Sequence, residues 1–303
     1  MYDTIIIGGG MAGLTAAMYA KRRAMKTLLI TKDLGGQLSW AGEIENYSGF
    51  DLITGSELSK QLEKQAQRAG YEIKLEEVTK ITRLPDGNFS VIANKATYKT
   101  RTIIFALGLV PRFLNVPGEK ELSGKGVSYC ANCDGPFFKD KKVAVVGGGN
   151  SALDAAEVLS KIASEVYLIH RQSTFKGFEN LIEAVKKRAN IHIILDSEVI
   201  NIGGTNKVQN ITIKNKLNQT ESKLEIDGIF VEIGHQAQSD LVANLVARDE
   251  HNQIIIDAEC RTNVPGFFAV GDITTIVHKQ LNVAAGHGTI AALNAYKYLQ
   301  EKQ

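Results

Sequence analysis

The chain has 303 residues, enough for about two domains of ~150 residues each and for a core that needs no disulfide staples. Hydrophobic residues make up 44% and charged residues 22%, which excludes a disordered chain, a collagen and a small cysteine-stapled scaffold. Lys and Arg total 35 against 33 Asp and Glu, a net charge of +2 without a clustered basic face, so no nucleic-acid partner is expected.

The first element is a β-branched strand, Thr4-Ile5-Ile6-Ile7, that runs into Gly8-Gly9-Gly10 and then an Ala-rich helical stretch. Thr4 to Ala20 carries no charge over 17 residues, the lower limit for a membrane span. Gly8, Gly9, Gly10 and Gly13 divide it into strand, turn and helix, so no membrane association is expected. No basic stretch precedes it, and no signal peptide is read there. A second buried strand ends in Leu29-Ile30. Residues 71–105 alternate apolar and polar, with Pro85-Asp86-Gly87-Asn88 predicted as a turn between strands such as Glu72–Leu75 and Phe89–Ala93. Pro111–Gly118, with two prolines and a glycine, reads as a linker.

A shift of 139 residues lays Thr4–Gly10 on Val143–Gly149, Leu14 on Leu153, Ala16-Ala17 on Ala155-Ala156, and Leu29-Ile30 on Leu168-Ile169. Each copy reads as strand, glycine turn, Ala-rich helix, strand: a β-α-β unit used twice. Residues 191–233 again alternate, with turns at Gly203-Gly204 and Asn215–Thr220, so a small antiparallel insertion is expected after each unit. The tail from Val264 to Leu299 reads as strand, Gly271-Asp272, then an Ala-rich helix from about Asn282.

Gly8-x-Gly10-x-x-Gly13 follows a strand and opens a helix, the arrangement that lets a backbone approach a pyrophosphate at the positive end of a helix dipole. The acid that usually holds a ribose at the end of the second strand is replaced by Thr31, with Asp33 two residues on. The second copy, Gly147-x-Gly149-x-x-Ala152, is the alanine variant, and its second strand ends in His170-Arg171. Arg171 can pair with a 2′-phosphate that an acid would repel, and Lys176 adds a charge. Two such turns imply two dinucleotides, most simply a tightly held flavin and an exchangeable nicotinamide.

Of three cysteines, Cys130 and Cys133 form a Cys-x-x-Cys followed by Asp134. Two thiols at this spacing can close a disulfide, accept two electrons and pass them on by exchange. Asp134 can carry the accompanying protons. Half of a zinc site is the other reading, for which Cys260 and scattered histidines would have to complete the ligands. Cys260 itself is expected to be packed.

In these ordered motifs the chain resembles the low-molecular-weight bacterial thioredoxin reductases, class II pyridine nucleotide-disulfide oxidoreductases. The likeness spans residues 1–303 and adds Gly35-Gly36-Gln37-Leu38, Glu45-Asn46-Tyr47, Cys130-x-x-Cys133-Asp134-Gly135 and Phe268-Ala269-Val270-Gly271-Asp272. It implies an α/β fold of two Rossmann-like dinucleotide-binding domains, each with a small antiparallel insertion, the second inserted into the first. The implied ranges are 1–112 and 239–303 for the FAD domain and 113–238 for the nicotinamide domain that carries the dithiol.

By the same resemblance Gly8, Gly10 and Gly13 face the FAD pyrophosphate. Gly36, Gln37 and Asn46 line the flavin, while Gly271, Asp272 and Gln280 hold its ribityl chain and ring edge. Gly147, Gly149, Asn150 and Ser151 meet the phosphates of NADPH, with Arg171 and Lys176 on the 2′-phosphate. Electrons would pass from NADPH to FAD, to the Cys130–Cys133 disulfide, and to thioredoxin or a thioredoxin-like protein. A rotation between domains, a homodimer and a cytoplasmic setting are also implied. The family's basic motif departs here at Gln172 and Lys176, where it has arginines, which is expected to weaken NADPH preference. Leu107, Gln238 and Lys279 likewise stand where the family has threonine, the start of Pro-Asn, and arginine. NADH or reduced ferredoxin as donor, and a non-catalytic flavin-dithiol redox sensor, are the alternatives.

Overall fold

The protein is described from a computed structural model covering residues 1–41 and 43–302. Its chain forms two compact units, one of 1–41, 47–110 and 236–302, the other of 43–46 and 111–235. The crossing strands Leu109–Pro111 and His235–Ala237 pair with each other. The sequence reading keeps 43–46 in the first part, whereas these residues pack with the second unit.

In the first unit, the strand Tyr2–Ile7 lies between Thr27–Thr31 and Thr97–Phe105, parallel to both. Ile5, Ile6, Leu28, Leu29, Ile103 and Ile104 are wholly buried, which is why these runs are continuous rather than alternating. The nine-residue strand Thr97–Phe105 serves two partners on its far side. Residues 97–100 pair antiparallel with Phe89–Ala93, and 103–105 pair parallel with Phe267–Ala269. The turn at 85–88 joins Val78–Arg83, not Glu72–Leu75, to Phe89–Ala93. Glu72–Leu75 is instead a parallel edge strand beside Thr27–Thr31, because a crossover helix, Gly55–Ala69, returns the chain in the same direction. That helix starts at a capping box of Thr54 and Glu57 and stops at Gly70, which takes the left-handed conformation with φ 65°.

The second unit repeats the plan to the level of register. Thr4 faces Thr27 in the first sheet and Val143 faces Val166 in the second, both pairs at the 139-residue shift. Its five parallel strands run Val127–Ser128, Gly228–Val231, Lys142–Val146, Glu165–Ile169 and Ile191–Ile194 across the sheet. A separate antiparallel sheet of Ser197–Gly203, Asn210–Asn215 and Glu221–Glu225 is the expected insertion. Val143, Val145, Leu153, Ala156 and Phe230 pack on one face of its parallel sheet, and Ala144, Val146, Ile169 and Ile229 on the other. Among the described residues no helix is long and apolar enough to cross a membrane.

Candidate functional site

Each unit holds a cavity at its glycine turn, and the glycines there divide into two kinds. A Cβ on Gly8 would overlap the Ala106 carbonyl, and one on Gly13 would overlap the Gly8 carbonyl. A Cβ on Gly147 would overlap the Glu232 carbonyl. The protein's own packing demands these three. The middle glycines are different: a Cβ on Gly10 would meet Gly35 O at 3.9 Å, an ordinary contact, and one on Gly149 would meet no atom of the other described residues within 4 Å. Both line their cavities, so side chains there would fill the space that a ligand backbone-phosphate needs.

The first cavity, about 590 Å³, is lined by Gly8, Gly10, Gly36, Gln37, Gly271 and Asp272 among others. Gly13, Asn46 and Gln280 do not line it. Gly13 serves helix packing, Asn46 belongs to the segment that packs with the second unit, and Gln280 precedes the last helix, Leu281–Glu301. Gln37 donates its side-chain N–H to Leu109 O. Asp33 is engaged in the turn, accepting from Gly36 N at 3.1 Å, and Thr31 Oγ1 donates to Asp33 O at 2.6 Å. Both residues line the cavity. Glu76, at the end of the neighbouring strand, lines the same cavity; one carboxyl oxygen accepts from Tyr98 and the other is buried without a partner among the described residues. A hydroxyl or amine of a bound ligand would satisfy it. Burial raises the Asp272 carboxyl above its usual range, opposed by Lys279. Lys279 Nζ donates to the carbonyls of Asp272 and Thr274 at 3.0 and 2.6 Å, and so holds this turn.

The second cavity, about 680 Å³, is lined by Gly147, Gly149, Asn150, Ser151, Arg171 and Lys176, and also by Gln172. The loop carrying the basic residues is tied to the glycine turn: Lys176 N donates to Gly148 O at 2.8 Å and Phe178 N to Asn150 Oδ1 at 2.7 Å. His170 is buried beneath it, stacked on Phe175, and burial lowers its pKa; it is a support, with the exposed Arg171 as the charge.

Cys130 and Cys133 form a disulfide with Cα atoms 5.3 Å apart. Cys133 N and Asp134 N both donate to Cys130 O, which winds 131–134 into a single helical turn, while Cys130 N donates to Ser128 Oγ at 3.1 Å. Burial raises the Asp134 carboxyl, opposed by a Ser128 hydrogen bond, so it holds a proton at a higher pH than an exposed aspartate. Among the described residues no group of three or more His, Cys, Asp and Glu gathers as metal ligands. Cys260 forms no disulfide, is 1% exposed and donates its Sγ–H to His287 O at 3.8 Å, its thiol pushed up to about 12 by burial.

Sequence reading missed Glu76, the anchoring role of Lys279, and Glu232. The 139-residue shift does not find Glu232: its structural counterpart is Ala106, 126 residues earlier, since the insertions differ in length. Ala106 N donates to Ile7 O and Glu232 N to Val146 O, each at 2.8 Å, which identifies the two positions.

A chain with two dinucleotide cavities and a redox disulfide is built to move electron pairs between a nucleotide and a disulfide. Residues 2–288 match the pyridine nucleotide-disulphide oxidoreductase family, and the chain belongs to it. It is 38% identical over 305 aligned positions to a thioredoxin reductase of Mycolicibacterium smegmatis, covering 100% of this chain and 98% of that one. A thioredoxin reductase of Listeria monocytogenes is 39% identical, with 99% and 95% covered. The crystal structure of thioredoxin reductase from Streptococcus pyogenes superposes with a TM-score of 0.95 at 37% identity, covering 99% of each chain.

Proposed function

We propose that the protein is a thioredoxin reductase, passing electrons from NADPH through FAD and the Cys130–Cys133 disulfide to the disulfide of thioredoxin. The observation that carries this is the pair of middle glycines, Gly10 and Gly149, where an added side chain would overlap no other described residue, in a chain that also carries a redox disulfide. FAD, when bound, accepts a hydride from NADPH and gives two electrons to the disulfide.

The first cavity fits FAD. Gly10 leaves its phosphates room, Gly8 lets the turn pack on the Ala106 carbonyl beside it, Glu76 supplies an acceptor for a hydroxyl or amine, and Gly36, Gln37, Gly271 and Asp272 supply polar edges. Asn46 and Gln280 remain assigned to the flavin by resemblance alone. The second cavity suits NADPH, with Gly147, Gly149, Asn150 and Ser151 toward the phosphates and Arg171 and Lys176 toward the 2′-phosphate. Two electrons break the Cys130–Cys133 S–S bond and, with two protons, yield two thiols. Asp134, which keeps a proton to higher pH, gives and takes protons beside them. One thiolate then attacks the thioredoxin disulfide, a mixed disulfide forms, and the second thiol releases reduced thioredoxin as Cys130–Cys133 closes again.

A homodimer in the cytoplasm completes this reading. Both rest on the family resemblance, and a chain of three cysteines, one of them in no disulfide, suits a reducing compartment. The test is turnover: NADPH oxidation should follow added thioredoxin disulfide. Cys133→Ser should abolish that turnover while anaerobic NADPH still bleaches the bound flavin. Bleaching without thioredoxin turnover in the unaltered protein would instead mark a redox sensor, and no bleaching by NADPH would move the donor to NADH or ferredoxin.

A further inference from the structure

The two β-α-β units superpose in register, and at one position their chemistry diverges. Ala106 follows the central strand of the first unit, and Glu232 occupies the same place in the second. Glu232 lines the second cavity beside the glycine turn. Its Oε1 also accepts from the backbone N–H of Ala131 at 3.4 Å, the residue that follows Cys130. One carboxyl therefore touches both the donor cavity and the dithiol segment, within a single unit.

We propose that Glu232 is a positioning residue shared by the donor pocket and the dithiol segment: an anionic dinucleotide entering the pocket drives a proton onto its carboxyl, and the neutral group holds the Ala131 N–H less tightly. The inference rests on the assignment of this cavity to a nicotinamide dinucleotide. Its physical basis is like-charge repulsion at short range, which favours the protonated acid. Burial already raises Glu232 from 4.5 to about 7, with the Asp154 carboxylate on the facing helix adding repulsion and the Ala131 N–H opposing it. Arg112, His170, Arg171, Lys176 and Glu198 are the other charged or titratable groups of the cavity. Accepting strength falls when a carboxylate becomes a carboxylic acid, so donor binding relaxes the contact next to Cys130.

Calorimetry of NADP⁺ binding to the FAD-loaded protein, in buffers of differing ionisation enthalpy, tests this. At pH 7 the unaltered protein should take up about half a proton more than Glu232→Gln, because a carboxyl that titrates at about 7 is half ionised there. Its Kd should weaken up to about tenfold between pH 6 and pH 8 beyond any change in Glu232→Gln, which also subtracts the titration of the 2′-phosphate. Asp154→Asn removes a group that raises the Glu232 carboxyl and should move the pH of greatest proton uptake downward, which keeps the test open if Glu232→Gln folds poorly. Amide exchange of the peptide covering 131–134 should speed up on NADP⁺ binding in the unaltered protein alone. Equal proton uptake in the unaltered and Gln proteins, proton release, or unchanged exchange would overturn the inference. No NADP⁺ binding to the unaltered protein would overturn the cavity assignment, and the inference with it.

Discussion

Gly286 and Gly288 lie two residues apart in the helix Leu281–Glu301, and replacing each by alanine should move stability in opposite directions. Intrinsic propensity favours alanine at both by about 0.8–1.0 kcal/mol. At Gly286 none of the other described residues stands within 4 Å of the added Cβ, so that gain should survive and raise Tm by ~2–4 °C. At Gly288 the Cβ would overlap the Ala12 carbonyl oxygen, with Ala16 N at 3.0 Å and Thr15 Cβ at 3.1 Å. Backbone cannot swing aside as a side-chain tip can, so the two helices must part, and overpacking of this kind costs about 1–3 kcal/mol. Overlap with a backbone oxygen puts the cost in the upper half of that range, so after the propensity gain the net effect should be a loss of about 1–2 kcal/mol and a fall in Tm of roughly 2–8 °C. Ala12 and Ala284, which flank that contact, both line the first cavity, so Gly288→Ala should also lower the flavin-to-protein ratio. Thermal unfolding with FAD in excess, and the 450 nm absorbance of the desalted protein (~450 nm being the flavin band), provide the readouts. A shift of both variants in the same direction would refute the assignment of Gly288 to helix packing.

Other expectations concern charge and hydrogen bonding. Glu232 titrates at about 7 in the fold against 4.5 ordinarily, so the native state binds the extra proton and stability attributable to it falls as pH rises from 4.5 to about 7. Glu232→Gln without nucleotide should therefore gain on the unaltered protein across that window, by no more than about 3 kcal/mol at pH 8, and lose the advantage near pH 4; denaturant unfolding at several pH values checks the sign. Gln172→Arg adds a charged donor to the cavity wall and should raise the NADPH over NADH preference in kcat/KM by about 10- to 100-fold; an unchanged ratio would remove residue 172 from the 2′-phosphate site. Lys279→Met leaves the carbonyls of Asp272 and Thr274 without their donor, at a cost of about 1–3 kcal/mol, and should release flavin on dilution where Lys279→Arg retains it.

Much of this protein is legible in the residues alone. The β-branched runs at 4–7 and 143–146, the glycine turns after them and the Ala-rich helices that follow determine two β-α-β units, because a strand buried on both faces, a turn free of side chains and a helix pressed close to a sheet each admit few residue types. Cys130 and Cys133 announce their chemistry by local spacing, which a single turn of backbone is enough to realise. Tertiary structure decided whatever depends on residues far apart in the chain. Whether Glu72–Leu75 pairs parallel or antiparallel turns on the route of the intervening helix, not on its own alternation. Glycine looks the same in sequence at Gly10 and Gly13, yet one faces a cavity and the other a carbonyl, since only the neighbours distinguish them. Glu76, Lys279 and Glu232 carry no motif, because burial and a partner 22 or 101 residues away, as for Glu76 with Tyr98 and Glu232 with Ala131, are properties of the folded chain.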